Sequence, residues 1–116
     1  MTREQDAFIA AFFEALFWSE GEEFYDLSYA DLEDDDAKEL ISDCLRFLSE
    51  ASTLLAKTSL TFESAGHDFL LTRNGHGAGF WDRGLGDIGD KLTDMSHNYG
   101  TVGLDIGDDG QVCVHN

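Results

Sequence analysis

Apolar side chains in the first part of the chain recur every three or four positions. This spacing predicts an amphipathic helix over about residues 3–18. Thr2 and Gln5 stand at its start in the relation of a capping box, in which each side chain binds the other residue's backbone N–H group. The apolar run within the helix is interrupted by Glu14 and is too short to span a bilayer, so we expect neither a membrane helix nor a secretion signal.

Two later segments show the same helical period with a clearer polar face. Apolar residues follow the i, i+3, i+4, i+7 rule over about residues 36–57, where Asp36 and Glu39 form a second capping-box pair. A third amphipathic helix is predicted over about residues 85–99, followed by Gly100, a residue type common directly after a helix. Helices are therefore expected along much of the chain.

Shorter apolar runs in the second half of the chain favour strands. HDFLLTR and GFWD flank the turn-forming sequence NGHGAG, and this arrangement predicts a β-hairpin over residues 67–82. A helix is the alternative there, because Phe62, Ala65, Phe69 and Leu70 also fit one helical face. A further hairpin is predicted near the end of the chain, where GDDG joins TVGLDI to QVCVH and contains the Asp-Gly turn signal.

Length and composition place these elements in one folded unit. A chain of 116 residues has the size of a single domain, and its 42% apolar and 12% aromatic residues lie outside the composition of disordered segments. We predict one domain, residues 1–116, with an α+β fold in which N-terminal helices pack on a small antiparallel sheet with one inserted helix. Cys44 and Cys113 match no metal-ligand spacing and are interpreted as reduced packing residues of a cytoplasmic protein.

The charge balance restricts the partners of the protein more than any motif does. Twenty-four acidic residues against seven lysines and arginines give a formal net charge of -17. Such a charge repels nucleic acid, phosphorylated ligands and anionic membranes over roughly 8 Å at physiological salt. We therefore expect a basic protein partner, and neither nucleic acid nor a membrane.

The acidic residues are concentrated in one segment, residues 20–39, which we call the acidic segment. It contains ten acidic residues, one lysine and several aromatic residues, more acid than helix capping or solubility requires. The contact residues proposed there are Glu20, Glu22, Glu23, Asp26, Asp31, Glu33, Asp34 and Asp35. A second row, Asp87, Asp90 and Asp94, faces away from the apolar stripe of its helix, with neighbours about 4.5 to 6 Å apart along the axis. That separation is comparable with the distance between neighbouring phosphates of one DNA strand.

The residue types most suggestive of catalysis lie between Ala65 and Gly84, which we call the glycine-rich stretch. Two histidines, two aspartates and two arginines stand there among five glycines. In a catalytic site they would supply a base, a carboxylate that orients it and a cation that binds an anionic intermediate. The candidates for these roles are His67, His76, Asp68, Asp82, Arg73 and Arg83. Their spacing matches no nucleophile elbow, zinc motif or phosphate-binding loop.

A structural interpretation accounts for more of the glycine-rich stretch. Its glycines permit a tight turn, its apolar residues fill the core, and its two arginines pair with carboxylates of this acidic chain. The apolar residues assigned to the core are Phe69, Leu71, Phe80 and Trp81. We favour this scaffold role over contact with a partner and over chemistry.

The sequence from Ala65 to Asp94, AGHDFLLTRNGHGAGFWDRGLGDIGDKLTD, resembles a signature of small acidic proteins encoded by bacteriophages. The resemblance covers about a quarter of the chain. No function is established for that family, so the resemblance implies no catalytic or binding residue. It implies a viral setting, in which the protein would act in the cytoplasm of the host.

These observations lead to one main hypothesis and two alternatives. The main hypothesis is a non-enzymatic inhibitor, without cofactor or metal, that imitates nucleic acid and blocks a DNA-binding defence or repair enzyme of the host, as a monomer or homodimer. Restriction enzymes, CRISPR effectors, DNA glycosylases and recombination nucleases are the target classes. One alternative is an adaptor or assembly protein whose acidity is incidental. The other is a small hydrolase or metal protein that uses His67, Asp68, His76, Asp82 and Arg83.

Overall fold

The computed structural model of the protein describes residues 1–115, which form four α-helices and one two-stranded antiparallel sheet. The helices are α1 (Arg3–Glu20), α2 (Asp34–Leu55), α3 (Phe62–Arg73) and α4 (Asp87–His97), and the strands are β1 (Gly103–Ile106) and β2 (Val112–His115). The predicted α+β class, with helices packed against a small sheet, is confirmed. Within residues 1–115, no helix is both long enough and apolar enough to cross a membrane.

The predicted capping box at the start of α1 is confirmed. Thr2 donates its N–H to Gln5 Oε1 at 2.8 Å, and Gln5 donates its N–H to Thr2 Oγ1 at 3.1 Å. Both exchanges satisfy backbone donors that have no partner within the first helical turn. They explain why α1 begins at Arg3.

The start of α2 differs from the prediction. The helix begins at Asp34, and its N-cap residue, Glu33, makes no side-chain capping bond. Asp36 therefore lies within the first turn, and the predicted Asp36–Glu39 capping box is wrong. The carboxylate of Asp36 instead accepts a hydrogen bond of 2.9 Å from the N–H of Val114 in β2. Three aspartates in this turn remain favourable, because the helix macrodipole is positive there.

The core is centred on stacked phenylalanines from α1, α2 and α3. Phe47 and Phe69 have ring centroids 4.2 Å apart, and Phe8 lies 5.8 Å from Phe69. α1 packs most extensively on α3, and Gly66 permits that approach because a Cβ at its position would overlap the carbonyl oxygen of Phe8. Phe80 completes the cluster from the loop after α3 and is also fully buried.

The hairpin predicted over residues 67–82 is wrong, because its first half belongs to helix α3. Thr61 caps this helix by accepting a hydrogen bond of 3.0 Å from the N–H of Ser64. The buried residues of α3 share one wide face of the helix: Ala65, Gly66, Asp68, Phe69, Leu70, Thr72 and Arg73. Because three of them are polar and Leu71 lies on the opposite, partly exposed side, the helix lacks the contrast between an apolar and a polar face that identifies amphipathic helices.

The second half of the predicted hairpin forms a loop and a short 3₁₀ turn, Phe80–Asp82. Phe80 is buried as predicted, whereas Trp81 is 53% exposed and does not belong to the core. As a result, α4 lies before the one hairpin found within residues 1–115 rather than between two hairpins.

The predicted C-terminal hairpin is confirmed, and it is attached to the acidic segment. β1 and β2 pair in the antiparallel sense, with Gly103 opposite His115, and Gly110 in the connecting turn adopts a φ of 80°. The acidic segment continues this sheet on one side: Leu32 forms a parallel bridge with Val112, whose carbonyl accepts a hydrogen bond of 3.1 Å from the N–H of Glu33.

Candidate functional site

Asp68 and Arg83 of the glycine-rich stretch form a two-pronged ion pair. Arg83 donates from Nε at 2.9 Å and from Nη2 at 3.0 Å to the two carboxylate oxygens of Asp68. The Asp68 side chain is only 2% exposed, so it is held by this pair rather than turned toward solvent. Hydrogen bonding to Asp68 raises the pKa of Arg83 above its ordinary value, which keeps the guanidinium charged. The pair fastens the loop before α4 to helix α3.

Arg73 is enclosed and holds the chain segment that follows α4. It donates from Nε to the carbonyl of Gly100 at 2.8 Å and from Nη2 to the carbonyl of Tyr99 at 2.9 Å. Its Nη1 lies 3.3 Å from an oxygen of Asp43, and its guanidinium stacks over the ring of Phe69. Burial lowers the pKa of Arg73, and the charge of Asp43 opposes this shift. Because Arg73 is 4% exposed, it does not offer a binding site to an anionic intermediate.

Thr72 and Asn74 complete this internal framework. The Oγ1 of Thr72 accepts a hydrogen bond of 3.1 Å from the N–H of Phe80, and a Cβ at Gly79 would overlap that oxygen. Asn74 binds both backbone groups of Val102, accepting from its N–H at 2.7 Å and donating to its carbonyl at 2.9 Å. Thr72 is the one hydroxyl residue of the glycine-rich stretch, and its oxygen is used to shape the loop.

The histidines of the glycine-rich stretch are not assembled with its aspartates. His67 Nε2 lies 3.3 Å from an oxygen of Glu14 on α1, whereas His76 is exposed in the loop. Asp82 accepts a hydrogen bond of 3.2 Å from the N–H of Gly79. Over residues 1–115 no three His, Cys, Asp or Glu side chains lie where they could hold a metal ion together. The residues of the hydrolase or metal alternative are therefore not brought to one place.

The acidic segment differs from the glycine-rich stretch. Buried apolar residues anchor its backbone, and most of its carboxylates are exposed to solvent. Gly21 ends α1 with a φ of 127°, a conformation that favours glycine, and the chain turns back there. Phe24 and Leu32 are buried. Ser28 caps a short turn, and Asp31 accepts a hydrogen bond of 2.8 Å from the N–H of Ser28.

Most of the proposed contact residues in the acidic segment are exposed. Those without a side-chain hydrogen bond or ion pair to any residue the structure describes are Glu22, Glu23, Asp26, Glu33, Asp34 and Asp35. Glu20 differs, because it is half-buried and accepts a hydrogen bond of 2.7 Å from the N–H of Leu104 in β1. Asp31 is exposed but engaged at Ser28. Of the eight proposed contact residues in the segment, six therefore have free carboxylates and two stabilise the fold.

The second predicted row, on α4, is also exposed. Asp87, Asp90 and Asp94 lie on the solvent side of the helix, opposite the fully buried Leu92. α4 packs on α2 and α3, whereas the acidic segment packs on the end of α1, the start of α2 and the hairpin. The two rows thus belong to different parts of the surface.

The hairpin adds carboxylates to the acidic segment that sequence reasoning did not include. Asp105 lies opposite Cys113 in the hairpin, Asp36 accepts a hydrogen bond from the N–H of Val114, and the N–H of Glu33 donates to the carbonyl of Val112, so these acidic residues lie beside β2. Burial and the charges of these residues raise the pKa of the Cys113 thiol. In the sequence the carboxylates of the hairpin belong to Asp105 and the GDDG turn, where the local pattern indicates only a hairpin. No local pattern indicates that β2 lies beside the acidic segment.

Few cations offset this negative surface. Of seven lysines and arginines, Arg73 and Arg83 form ion pairs with Asp43 and Asp68. The other five form no ion pair with any residue up to His115. Both paired arginines therefore neutralise carboxylates outside the acidic segment, which is left uncompensated.

Comparisons of the chain with protein-family models, with curated proteins and with solved structures found no match.

Proposed function

We propose that the protein is a non-enzymatic inhibitor that occupies the nucleic-acid-binding cleft of a basic protein. Its exposed carboxylates would bind the lysines and arginines that otherwise contact phosphates. The observation that carries the proposal is the set of six exposed, unpaired carboxylates between Glu22 and Asp35, in a chain whose two paired arginines bind carboxylates elsewhere in the fold.

The electrostatic argument supports both binding and its expected salt dependence. Double-stranded DNA presents one charge about every 1.7 Å of its axis, and proteins that bind it carry matching basic arrays. A net charge of -17 on 116 residues steers such arrays toward this protein and accelerates encounter. Because these contacts lie at the surface, salt screens them, and affinity should fall as ionic strength rises.

The proposed setting is a bacteriophage infection, and the proposed target is a host defence or repair enzyme. The resemblance of Ala65–Asp94 to phage-encoded proteins supports this setting. Restriction enzymes, CRISPR effectors, DNA glycosylases and recombination nucleases all meet the requirement for a basic cleft. The protein would act in the host cytoplasm.

A displacement assay with a matched charge control tests this proposal. One purified bacterial enzyme of each target class is bound to a fluorescent DNA duplex, and displacement by the protein is followed by anisotropy. The test variant carries Glu22→Gln, Glu23→Gln, Asp34→Asn and Asp35→Asn. The control variant removes four exposed charges outside the acidic segment and the hairpin, by Glu4→Gln, Asp6→Asn, Glu50→Gln and Glu63→Gln.

We expect the wild-type protein to displace DNA from at least one enzyme. Removal of several charge pairs worth up to about 1 kcal/mol each should weaken the test variant by roughly tenfold or more, and the control variant far less. If no enzyme releases its duplex, or if both variants weaken equally, charge placement in the acidic segment is not the basis of function.

A further inference from the structure

A groove between α1 and the acidic segment is open to solvent. It has a volume of about 310 Å³ and lies between one face of α1 and the chain that returns after Gly21. Phe13 and Phe17 line it from α1, and Tyr25 and Tyr29 line it from the returning chain. We call this site the tyrosine groove.

Two of the four aromatic rings of the tyrosine groove are open to solvent. Phe13 and Phe17 are buried and stack with centroids 6.3 Å apart, and the ring of Tyr29 lies 5.4 Å from that of Phe13. Tyr25 and Tyr29 nevertheless remain 53% and 50% exposed. Aromatic faces at a concave, partly apolar surface are typical of binding sites rather than of a solvated exterior.

The rim of the tyrosine groove is negative. Glu14 lines the groove with a side chain that is 77% exposed, and its one ion-pair partner among residues 1–115 is His67. Asp26 lies between Tyr25 and Leu27 in the sequence and is exposed. No lysine or arginine is among the described residues that line the groove. An anionic ligand is therefore repelled, and a purely apolar ligand would leave the charged rim without a partner.

We propose that the tyrosine groove binds a single arginine side chain of the basic partner. The planar guanidinium would lie against the tyrosine rings, since arginine stacks on aromatic faces within about 6 Å of the ring centre. Its aliphatic stem would contact Phe13 and Phe17, and the carboxylate of Glu14 would accept its N–H groups. Lysine fits less well, because its compact ammonium is more strongly hydrated.

This inference rests on the proposed function and makes it more specific. Phosphates of a duplex offer charge but no aromatic groove. A site for one arginine would let the protein distinguish among basic clefts that all accept negative charge, since specificity requires contacts that competitors lack. The proposal therefore predicts that the partner carries an arginine beside its phosphate-binding residues and that this arginine enters the tyrosine groove in the complex.

Nuclear magnetic resonance of the ¹⁵N-labelled protein can test the site with small probes. The charged probe is N-acetyl-arginine methylamide, and the matched neutral probe is the citrulline analogue. We expect the arginine probe to shift the amides of Ala10, Tyr25 and Tyr29, with affinity about fivefold or more above that of the citrulline probe.

Substitutions separate a specific groove from general attraction to negative charge. Glu14→Gln and Tyr25→Leu should each weaken arginine binding by about threefold, and leucine keeps the apolar contact so that the fold is preserved. Glu63→Gln and Trp81→Leu, at exposed positions elsewhere, should leave the affinity unchanged. Thermal unfolding of each variant verifies that it remains folded.

Three results would overturn the tyrosine groove as an arginine site. The first is equal affinity for the two probes. The second is a change in amide signals spread over residues near all exposed carboxylates. The third is a dimer, detected by sedimentation, with Tyr25 and Tyr29 in its interface. In each case the displacement assay would still decide separately whether the protein inhibits through the acidic segment. If the groove binds arginine but no enzyme releases DNA, the proposed function fails and the binding site remains.

Discussion

The glycine-rich stretch and the acidic segment use their polar side chains in opposite ways. In the first, Asp68, Arg73 and Arg83 are bound to other parts of the same chain. In the second, carboxylates such as Glu22 and Asp35 have no partner among the described residues. The residues with the more varied chemistry thus build the fold, and the uniform acidic ones remain available to another molecule.

The physical reason for this difference is burial. A polar side chain enclosed in the core must be paired, because an unpaired buried group costs about 1–3 kcal/mol. The buried face of α3 carries Asp68, Thr72 and Arg73, so these polar residues need partners within the protein. The acidic segment is held by only a few buried apolar residues, including Phe24 and Leu32, and its polar residues stay hydrated.

Replacement of Arg73 should produce the largest loss of stability. Arg73→Met keeps much of the apolar stem but leaves Asp43 and the carbonyls of Tyr99 and Gly100 without their donor. Breaking a buried ion pair in this way costs about 3–5 kcal/mol, measurable by urea denaturation. Arg46→Met, at an exposed position of α2, is the control and should change stability by less than about 1 kcal/mol. Equal losses would show that Arg73 is not a structural residue.

A methyl group at Gly66 should have the next largest effect. Gly66→Ala places a Cβ against the carbonyl oxygen of Phe8, so α1 and α3 must separate. Overpacking of this kind costs about 1–3 kcal/mol. Gly77→Ala provides the comparison, because that loop position has open space around it. If thermal unfolding places both variants at the wild-type midpoint, close α1–α3 packing does not limit stability.

Neutralisation of the acidic segment should barely change stability. The variant with Glu22→Gln, Glu23→Gln, Asp34→Asn and Asp35→Asn loses a macrodipole contribution of about 0.3–1 kcal/mol at each of the two α2 positions. Neutralisation also removes repulsion between like charges, and this change stabilises the folded protein. We expect a net change within about 1 kcal/mol in urea denaturation. A much larger loss would mean that these carboxylates, like Asp68, stabilise the fold.

His76→Ala should have the smallest effect of all. The side chain is exposed in the loop after α3 and has no hydrogen-bond partner among the residues the structure describes. Stability should stay within about 0.5 kcal/mol of wild type, and DNA displacement should be unchanged. Loss of function without loss of stability would instead revive a chemical role for this histidine.

Local sequence rules predicted those elements that keep one polar face. α1, α2 and α4 were recognised from helical spacing, and the last hairpin from its Asp-Gly turn. α3 was interpreted as a strand, although Thr61 and the apolar spacing from Phe62 fit a helix. Because the buried face of α3 includes Asp68, Thr72 and Arg73, its apolar periodicity has too little contrast to outweigh the glycine-rich sequence after it.

The candidate site was predictable only in part. The abundance of carboxylates and their exposure follow from composition, and pairing of Arg73 and Arg83 with carboxylates was expected and is confirmed. The engagement of Glu20 by β1 was not predictable, because it joins residues far apart in sequence. The same holds for the tyrosine groove, which exists only because the chain reverses at Gly21.

Capture from a bacterial lysate tests the central claim most directly. Immobilised wild-type protein is incubated with lysate at low salt, and bound proteins are eluted first with duplex DNA and then with increasing sodium chloride. The account predicts that captured proteins bind nucleic acid, are displaced by DNA and are released before about 0.5 M salt, while the variant neutralised in the acidic segment captures few of them. Partners that do not bind nucleic acid, or that resist both DNA and about 0.5 M salt, would contradict it.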